Sequence, residues 1–218
     1  MRLLYTLAVA LSVPAVLVVT SVFVLAQPAF LRWEYGRAGF PPTAGISDAE
    51  RLSLAIPSTN YISRPGWDEG RLFALRLDGA PLYTAGEVQH LVDVRHLMRR
   101  LATVGGAAAL VMVGAALIAW RRRAYRRGLS AGLMSGGALS LVMVAATALL
   151  AVVAWRLIFT GFHQVLFPPG TWQFANSSGL IRLFPEQFWF DSALALTAVV
   201  TVGALGTIGG GILLRRWL

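Results

Sequence analysis

The stretch ATVGGAAALVMVGAALIAWRRRAYRR, Ala102–Arg127, decides the fold. Its apolar part, Ala102–Trp120, carries no charge. At 1.5 Å per residue, about 20 such residues in a helix cross a hydrocarbon core ~30 Å thick. Arg121, Arg122, Arg123, Arg126 and Arg127 then arrive together with no acid among them, which stops the segment in the membrane. Three more runs are long and apolar, with Arg156 the one charge within them: Leu3–Ala26, Gly136–Ile158 and Ser192–Leu214. The whole chain has 218 residues, of which only 13% are charged, and a mean hydropathy of +0.65. A soluble domain carries about 25% charged residues, so lipid is the natural solvent here. Arg2 precedes the first run and Val24-Leu25-Ala26 faintly resembles a cleavage site. A secretory signal's apolar core is only about 7–15 residues long, so this run reads as an anchor that stays.

The charges predict orientation. Arginine crowds the link between the second and third spans, and Arg2, Arg215 and Arg216 mark the two termini. The positive-inside rule places all three on the cytoplasmic side. All ten acids fall in the two remaining segments, 27–100 and 159–191. The expected fold class is an α-helical integral membrane protein with four transmembrane helices, both termini cytoplasmic, and a small mixed α+β extracytoplasmic cap. The expected layout is a first span (1–26), a cap (27–84), and an interfacial helix running into the second span (85–120). A basic cytoplasmic loop (121–135), a third span (136–158), an aromatic-rich outer loop (159–191), a fourth span (192–214) and a tail (215–218) follow. The net charge of +9 then reflects topology and attraction to anionic lipid, and no nucleic-acid partner is expected. Cysteine is absent, which excludes disulfides, thiolate metal ligands and acyl transfer through an enzyme thioester.

Within the cap, Ser47 and Glu50 fit a capping box that opens a short helix through Arg51 to Ala55, stopped by Pro57. The run Leu72–Leu77 leads into Asp78-Gly79, a hairpin signal, and Pro81 demotes the second strand to an edge. Thr84 and Glu87 form a second capping box, which starts a helix at about Ala85 that continues into the second span. On that helix Gln89, Asp93, His96, Arg99 and Arg100 share a polar face. Leu91, Val94, Leu97 and Met98 share the opposite one, with His90 and Glu87 among them. His96 therefore reads as solvated or headgroup-facing, while His90 turns toward protein.

The third of the chain's three histidines, His163, stands at the outer end of the third span. His90 and His163 thus lie at similar depth on adjoining spans, where packing brings them within reach of one another. An imidazole pair near neutral pH can divide base and acid roles, and Asp93 or Glu87 can orient one ring as a carboxylate does in a triad. The plainer reading has each imidazole satisfying a loop carbonyl beneath the cap. The aromatics of 159–191 admit two readings as well. One is an interfacial belt, which accounts for Trp189 and Phe190 beside the fourth span. The other is a lined pocket for a substrate with lipid chains and a polar head, which better explains Trp172 and Phe174 beyond the Pro168-Pro169-Gly170 bend.

Several motifs resemble those of a known family. E-x-x-H-L-x-D-V (Glu87, His90, Leu91, Asp93, Val94) opens the second span. F-H-x-x-x-F (Phe162, His163, Phe167), T-W-x-F (Thr171, Trp172, Phe174) and L-I-x-L-F-P-E-x-F-W (Leu180 to Trp189) follow. With the Tyr35-Gly36 region, these are similar to the Lit family, the bacterial lipoprotein intramolecular transacylases, in order over most of the chain. The resemblance implies a multi-pass protein of the bacterial plasma membrane with its active site at the extracytoplasmic face. It implies transfer of the sn-2 acyl chain of a diacylglyceryl-modified N-terminal cysteine to that cysteine's α-amino group, giving a lyso-form lipoprotein. The diacylglyceryl lipoprotein and the bilayer are then the partners, and no cofactor or metal is expected.

His90 and His163 would be the catalytic pair, with Glu87 and Asp93 supporting. Tyr35, Phe162, Phe167, Trp172, Phe174 and Trp189 would line the pocket, and Arg156 or Arg182 would steady an oxyanion or headgroup. Two competing readings stay open. One is a metal-dependent membrane amidase or esterase, its carboxylate and imidazole ligands drawn from E-x-x-H (Glu87, His90) with Asp93 and His163. The other is a non-catalytic lipid-binding membrane protein.

Overall fold

The structure, a computed structural model, describes residues 1–43 and 45–217. Among the described residues, four helices are long and apolar enough to cross a membrane: α1 (Arg2–Leu25), α5 (Ala85–Arg121), α6 (Arg126–Leu166) and α8 (Glu186–Arg216). The chain is a multi-pass helical membrane protein. Between α1 and α5 lie α2 (Pro28–Tyr35), α3 (Asp48–Ser63), α4 (Gly70–Phe73) and a two-stranded hairpin, β1 (Arg76–Leu77) with β2 (Ala80–Pro81). A 3₁₀ turn at Arg123–Tyr125 precedes α6, and the short α7 (Gly179–Leu183) precedes α8.

The chain divides into two units. The first comprises residues 1–22, 101–152 and 194–218. Its helices meet through small residues. A Cβ on Gly132 would stand 2.6 Å from the Val9 Cβ of α1, and one on Gly136 would stand 2.7 Å from the Ala10 carbonyl oxygen. On Gly137 a Cβ would meet the Ala204 carbonyl oxygen of α8 at 2.8 Å. Lipid tails are as apolar as leucine, so helices in a membrane are held by close packing of this kind and by interhelical hydrogen bonds. The Ser130 hydroxyl donates to the Gly211 carbonyl at 2.8 Å, and the Tyr5 hydroxyl donates to the Ala115 carbonyl at 2.7 Å. Large apolar side chains such as Leu110, Val142 and Val202 point outward, as a lipid-facing surface requires.

The second unit comprises residues 23–100 and 153–193. Pro28 opens α2 at its first turn, where its missing N–H costs nothing. Phe30, Leu31, Glu34 and Tyr35 form its buried face. Arg37 just beyond α2 pairs with Glu34 at 2.9 Å and with Asp191 of α8, and the Gln187 amide donates to Asp191 at 2.9 Å. Burial raises the Glu34 pKa above its ordinary value, and the nearby Asp191 carboxylate adds to that. Asp78 and Gly79 both take positive φ (51° and 79°), the conformation of a two-residue hairpin loop whose twist matches the strands it joins.

The cap helix does not stop at Pro57, since α3 runs on to Ser63. Proline removes one backbone bond, but Ser58, Thr59, Asn60 and Tyr61 beyond it are all buried, and their packing holds the helical course. The helix does begin where the capping box puts it, with the Ser47 hydroxyl accepting the Glu50 N–H at 3.3 Å. The run from Leu72 is likewise shared: α4 takes Leu72 and Phe73, leaving only Arg76–Leu77 to the strand.

Candidate active site

Helix α5 starts at Ala85 because Thr84 and Glu87 satisfy each other's termini. The Glu87 Oε2 accepts the Thr84 backbone N–H and hydroxyl, each at 2.9 Å, and the Thr84 hydroxyl accepts the Glu87 N–H at 3.3 Å. From that start, helical periodicity turns Val88, His90, Leu91 and Met98 inward and leaves Gln89, His96, Arg99 and Arg100 exposed. His90 is 7% exposed. It precedes the apolar span 102–120 by twelve residues, about 18 Å of helix.

The last turn of α6, beyond its apolar stretch, supplies His163. The two imidazoles stack with centroids 6.1 Å apart and planes 25° from parallel. Aromatic rings enclose them. Phe167 stands 4.9 Å from His90 and 5.5 Å from His163, and Phe174 stands 5.7 Å from His90. Phe159, Trp172 and Phe162 stand 4.2, 4.9 and 5.3 Å from His163. Pro168-Pro169-Gly170 reverses the chain, with Gly170 at φ 82° and the Thr171 hydroxyl donating to the Pro168 carbonyl, so that Trp172 returns onto His163.

The two rings are not equivalent. His163 Nδ1 lies 2.7 Å from the Phe159 carbonyl one turn earlier. A carbonyl oxygen only accepts, so Nδ1 carries the proton and the neutral ring holds its lone pair on Nε2. His90 Nδ1 is buried and has no hydrogen-bond partner among the described residues. Burial, with the adjoining His163 adding to it, pushes the His90 pKa down to about 4. The His163 pKa is also lowered by burial, with the bond to Phe159 acting in the opposite sense. Both shifts favour the neutral imidazole.

The other sequence-derived residues are distributed unevenly. Phe162, Phe167, Trp172 and Phe174 surround the pair. Tyr35 and Trp189 instead belong to a second aromatic cluster built on Phe184 and Phe188, where the Tyr35 hydroxyl donates to the Leu183 carbonyl and the Trp189 indole donates to that of Phe184. Glu87 bonds to neither imidazole, and its second oxygen accepts the Leu180 N–H at 2.7 Å. Asp93 accepts the Gln89 amide at 3.2 Å and acts on His90 only through its field. Arg156 is exposed, and Arg182 lies on α7 with its carbonyl accepting the Thr43 hydroxyl. Among the described residues no three His, Cys, Asp or Glu side chains gather to hold a metal. Sequence reasoning left Phe159 out of the site. Its spacing of four from His163 was visible, but the ring-to-carbonyl bond it makes depends on a rotamer and carries no residue-type signal.

Among the described residues, four long apolar helices define a multi-pass membrane protein, and one stacked imidazole pair is enclosed by aromatic rings. The family model for the lipoprotein intramolecular transacylase Lit matches residues 6–189, and the chain belongs to that family. It is 26% identical over 220 residues to an uncharacterised protein of Aquifex aeolicus (strain VF5), covering 100% of this chain and 98% of that one. Its fold is similar to the in meso structure of the membrane integral lipoprotein intramolecular transacylase Lit from Bacillus cereus. The TM-score is 0.83 at 21% identity, over 99% of this chain and 96% of the other. Two histidine-substituted forms of that protein are similar at TM-scores of 0.62 and 0.63, each with 18% identity.

Proposed function

We propose that this chain moves the sn-2 acyl chain of a diacylglyceryl-modified N-terminal cysteine to that cysteine's own α-amino group, releasing a lyso-form lipoprotein. Family membership supports the acyl-transfer class. The stacked His90–His163 pair under aromatic rings is the observation that carries the rest. Amine and ester reside on one molecule, so no enzyme nucleophile is needed. A chain without cysteine has no thiol to offer as one. The work left to the protein is to fold a flexible lipid until the nitrogen lies against the ester carbonyl, and rings that pack acyl chains serve that purpose.

In this reading His163 Nε2, the lone-pair nitrogen, takes the proton from the attacking amine. A C–N bond forms, the ester C–O bond breaks, and the sn-2 oxygen receives the proton, so the reaction is an isomerisation with no water consumed. His90, held neutral by its low pKa, acts as a hydrogen-bond donor to the developing oxyanion, the role open to a neutral imidazole in a dry site. Arg156, exposed, is left for the headgroup region. The charge pattern of the loops supports a plasma-membrane orientation with this site on the extracytoplasmic side.

Purified protein and a synthetic diacylglyceryl lipopeptide test the reaction. Conversion at constant mass, with fragmentation placing one acyl chain on nitrogen, is the expected result, and it persists after exhaustive chelation with EDTA. Release of free fatty acid instead of transfer overturns the proposal, and loss of activity on chelation restores the metal-hydrolase reading.

A further inference from the structure

Helix α7, Gly179–Leu183, is held between two buried side chains of opposite charge. At its start, Glu87, 1% exposed, accepts the Leu180 N–H at 2.7 Å. At its end, Arg51, 2% exposed, donates to the Arg182 carbonyl at 3.4 Å, to the Thr43 hydroxyl, and to the Pro41 carbonyl at 2.9 Å. The Thr43 hydroxyl donates in turn to the same Arg182 carbonyl at 3.0 Å, and the Tyr35 hydroxyl donates to the Leu183 carbonyl at 2.7 Å. The guanidinium also lies over the rings of Tyr35 and Phe40, at 5.2 and 4.9 Å from their centroids. Among the described residues neither Glu87 nor Arg51 takes part in a salt bridge.

A buried charge with no counter-charge is costly. Here the ends of a helix supply one. The N–H groups of a first turn carry partial positive charge, the carbonyls of a last turn carry partial negative charge, and the effect is confined to those turns. α7 consists of little else. Gly179 lets it press close: a Cβ there would stand 2.1 Å from the Leu82 carbonyl oxygen, just upstream of α5.

α7 is also the return anchor of the 168–178 loop, whose Trp172 packs tilted against His163 and whose Phe174 meets His90 edge-on. We infer that Glu87 and Arg51 are positioning residues that act as one clamp through α7, seating the loop so that Trp172 and Phe174 close over the histidine pair. This assigns Glu87 to the loop rather than to an imidazole. It rests on the transacylase reading only for its kinetic consequence.

The absence of native cysteine makes the seating measurable in the full-length protein. Spin labels at Gln89→Cys and Gln173→Cys, both exposed positions, report the distance between α5 and the loop. A single narrow distribution is expected in the parent. Glu87→Gln and Arg51→Gln each broaden it, and the double variant is no broader than the worse single one. Unchanged single variants, or broadening that adds in the double, overturn the clamp. If Arg51→Gln does not fold, Tyr35→Phe, which removes one bond at the same end, replaces it in the cycle.

In the lipopeptide assay each variant loses about ten- to a hundredfold in kcat/KM, as small misplacements do, with the pH profile unmoved. A shifted profile in Glu87→Gln makes Glu87 a proton-transfer group and overturns the positioning role. A parent that performs no transacylation sinks the proposed function while the distance measurement still decides the clamp.

Discussion

At the scale of single residues, the two imidazoles stack yet differ in what they can do. The Phe159 carbonyl fixes one tautomer of His163, so its basic nitrogen faces away from its own helix. Base catalysis needs that nitrogen unprotonated. With the His163 pKa lowered by burial, kcat is expected to rise with pH through a midpoint below the ordinary histidine value of about 6.5 and to level off by neutrality. A pH–rate series checks this, and a midpoint above 7 contradicts it. His90 adds a stability signature. Its folded pKa of about 4 lies below the unfolded value, so the unfolded chain binds the extra proton. The stabilising contribution is complete above the unfolded pKa and is lost as pH falls from there through about 4, amounting to ~3 kcal/mol at most. The Tm of the parent should fall over that window, and the fall should shrink in His90→Phe; equal slopes would show that another group titrates.

At the scale of elements, two capping boxes set the starts of α3 and α5, and they differ in consequence. The Ser47 cap is exposed and local, so Ser47→Ala should cost about 0.5–2 kcal/mol and leave activity intact. Gly179→Ala is different, because its Cβ has no room against a backbone carbonyl. It should cost about 1–3 kcal/mol and displace Trp172 and Phe174 from the histidines, reducing turnover as well. Thermal melts beside the lipopeptide assay separate the two cases. These elements also mark where sequence reading stops. The start of α5 was legible because Thr84 and Glu87 are local partners, three residues apart. The second partner of Glu87, Leu180, lies 93 residues away and has no motif. α3 was cut short at Pro57 because the burial that carries it to Ser63 comes from tertiary neighbours. α7 was missed because five residues give no periodicity to detect.

At the scale of the molecule, four long apolar helices were legible in the sequence, since lipid demands long apolar runs. The small-residue contacts of α1, α6 and α8 were less legible, because a glycine in an apolar run does not announce which helix it will meet. The candidate site lay between these extremes. His90, His163 and the nearby aromatics were visible as motifs on adjoining segments, whereas Tyr35 and Trp189 share the same residue types and fall in a different cluster. Family membership and the enclosed imidazole pair converge on one central claim, that this chain shifts an acyl chain within a lipoprotein. The most direct test is mass spectrometry of a lipoprotein's N-terminal peptide from a bacterium whose lipoproteins keep a free diacylglyceryl-cysteine amine, with and without this protein. The predicted result is a mass-neutral move of one acyl chain from glycerol to the α-amino group, abolished by His90→Ala or His163→Ala. An unchanged peptide in the presence of folded, membrane-inserted protein would contradict the claim.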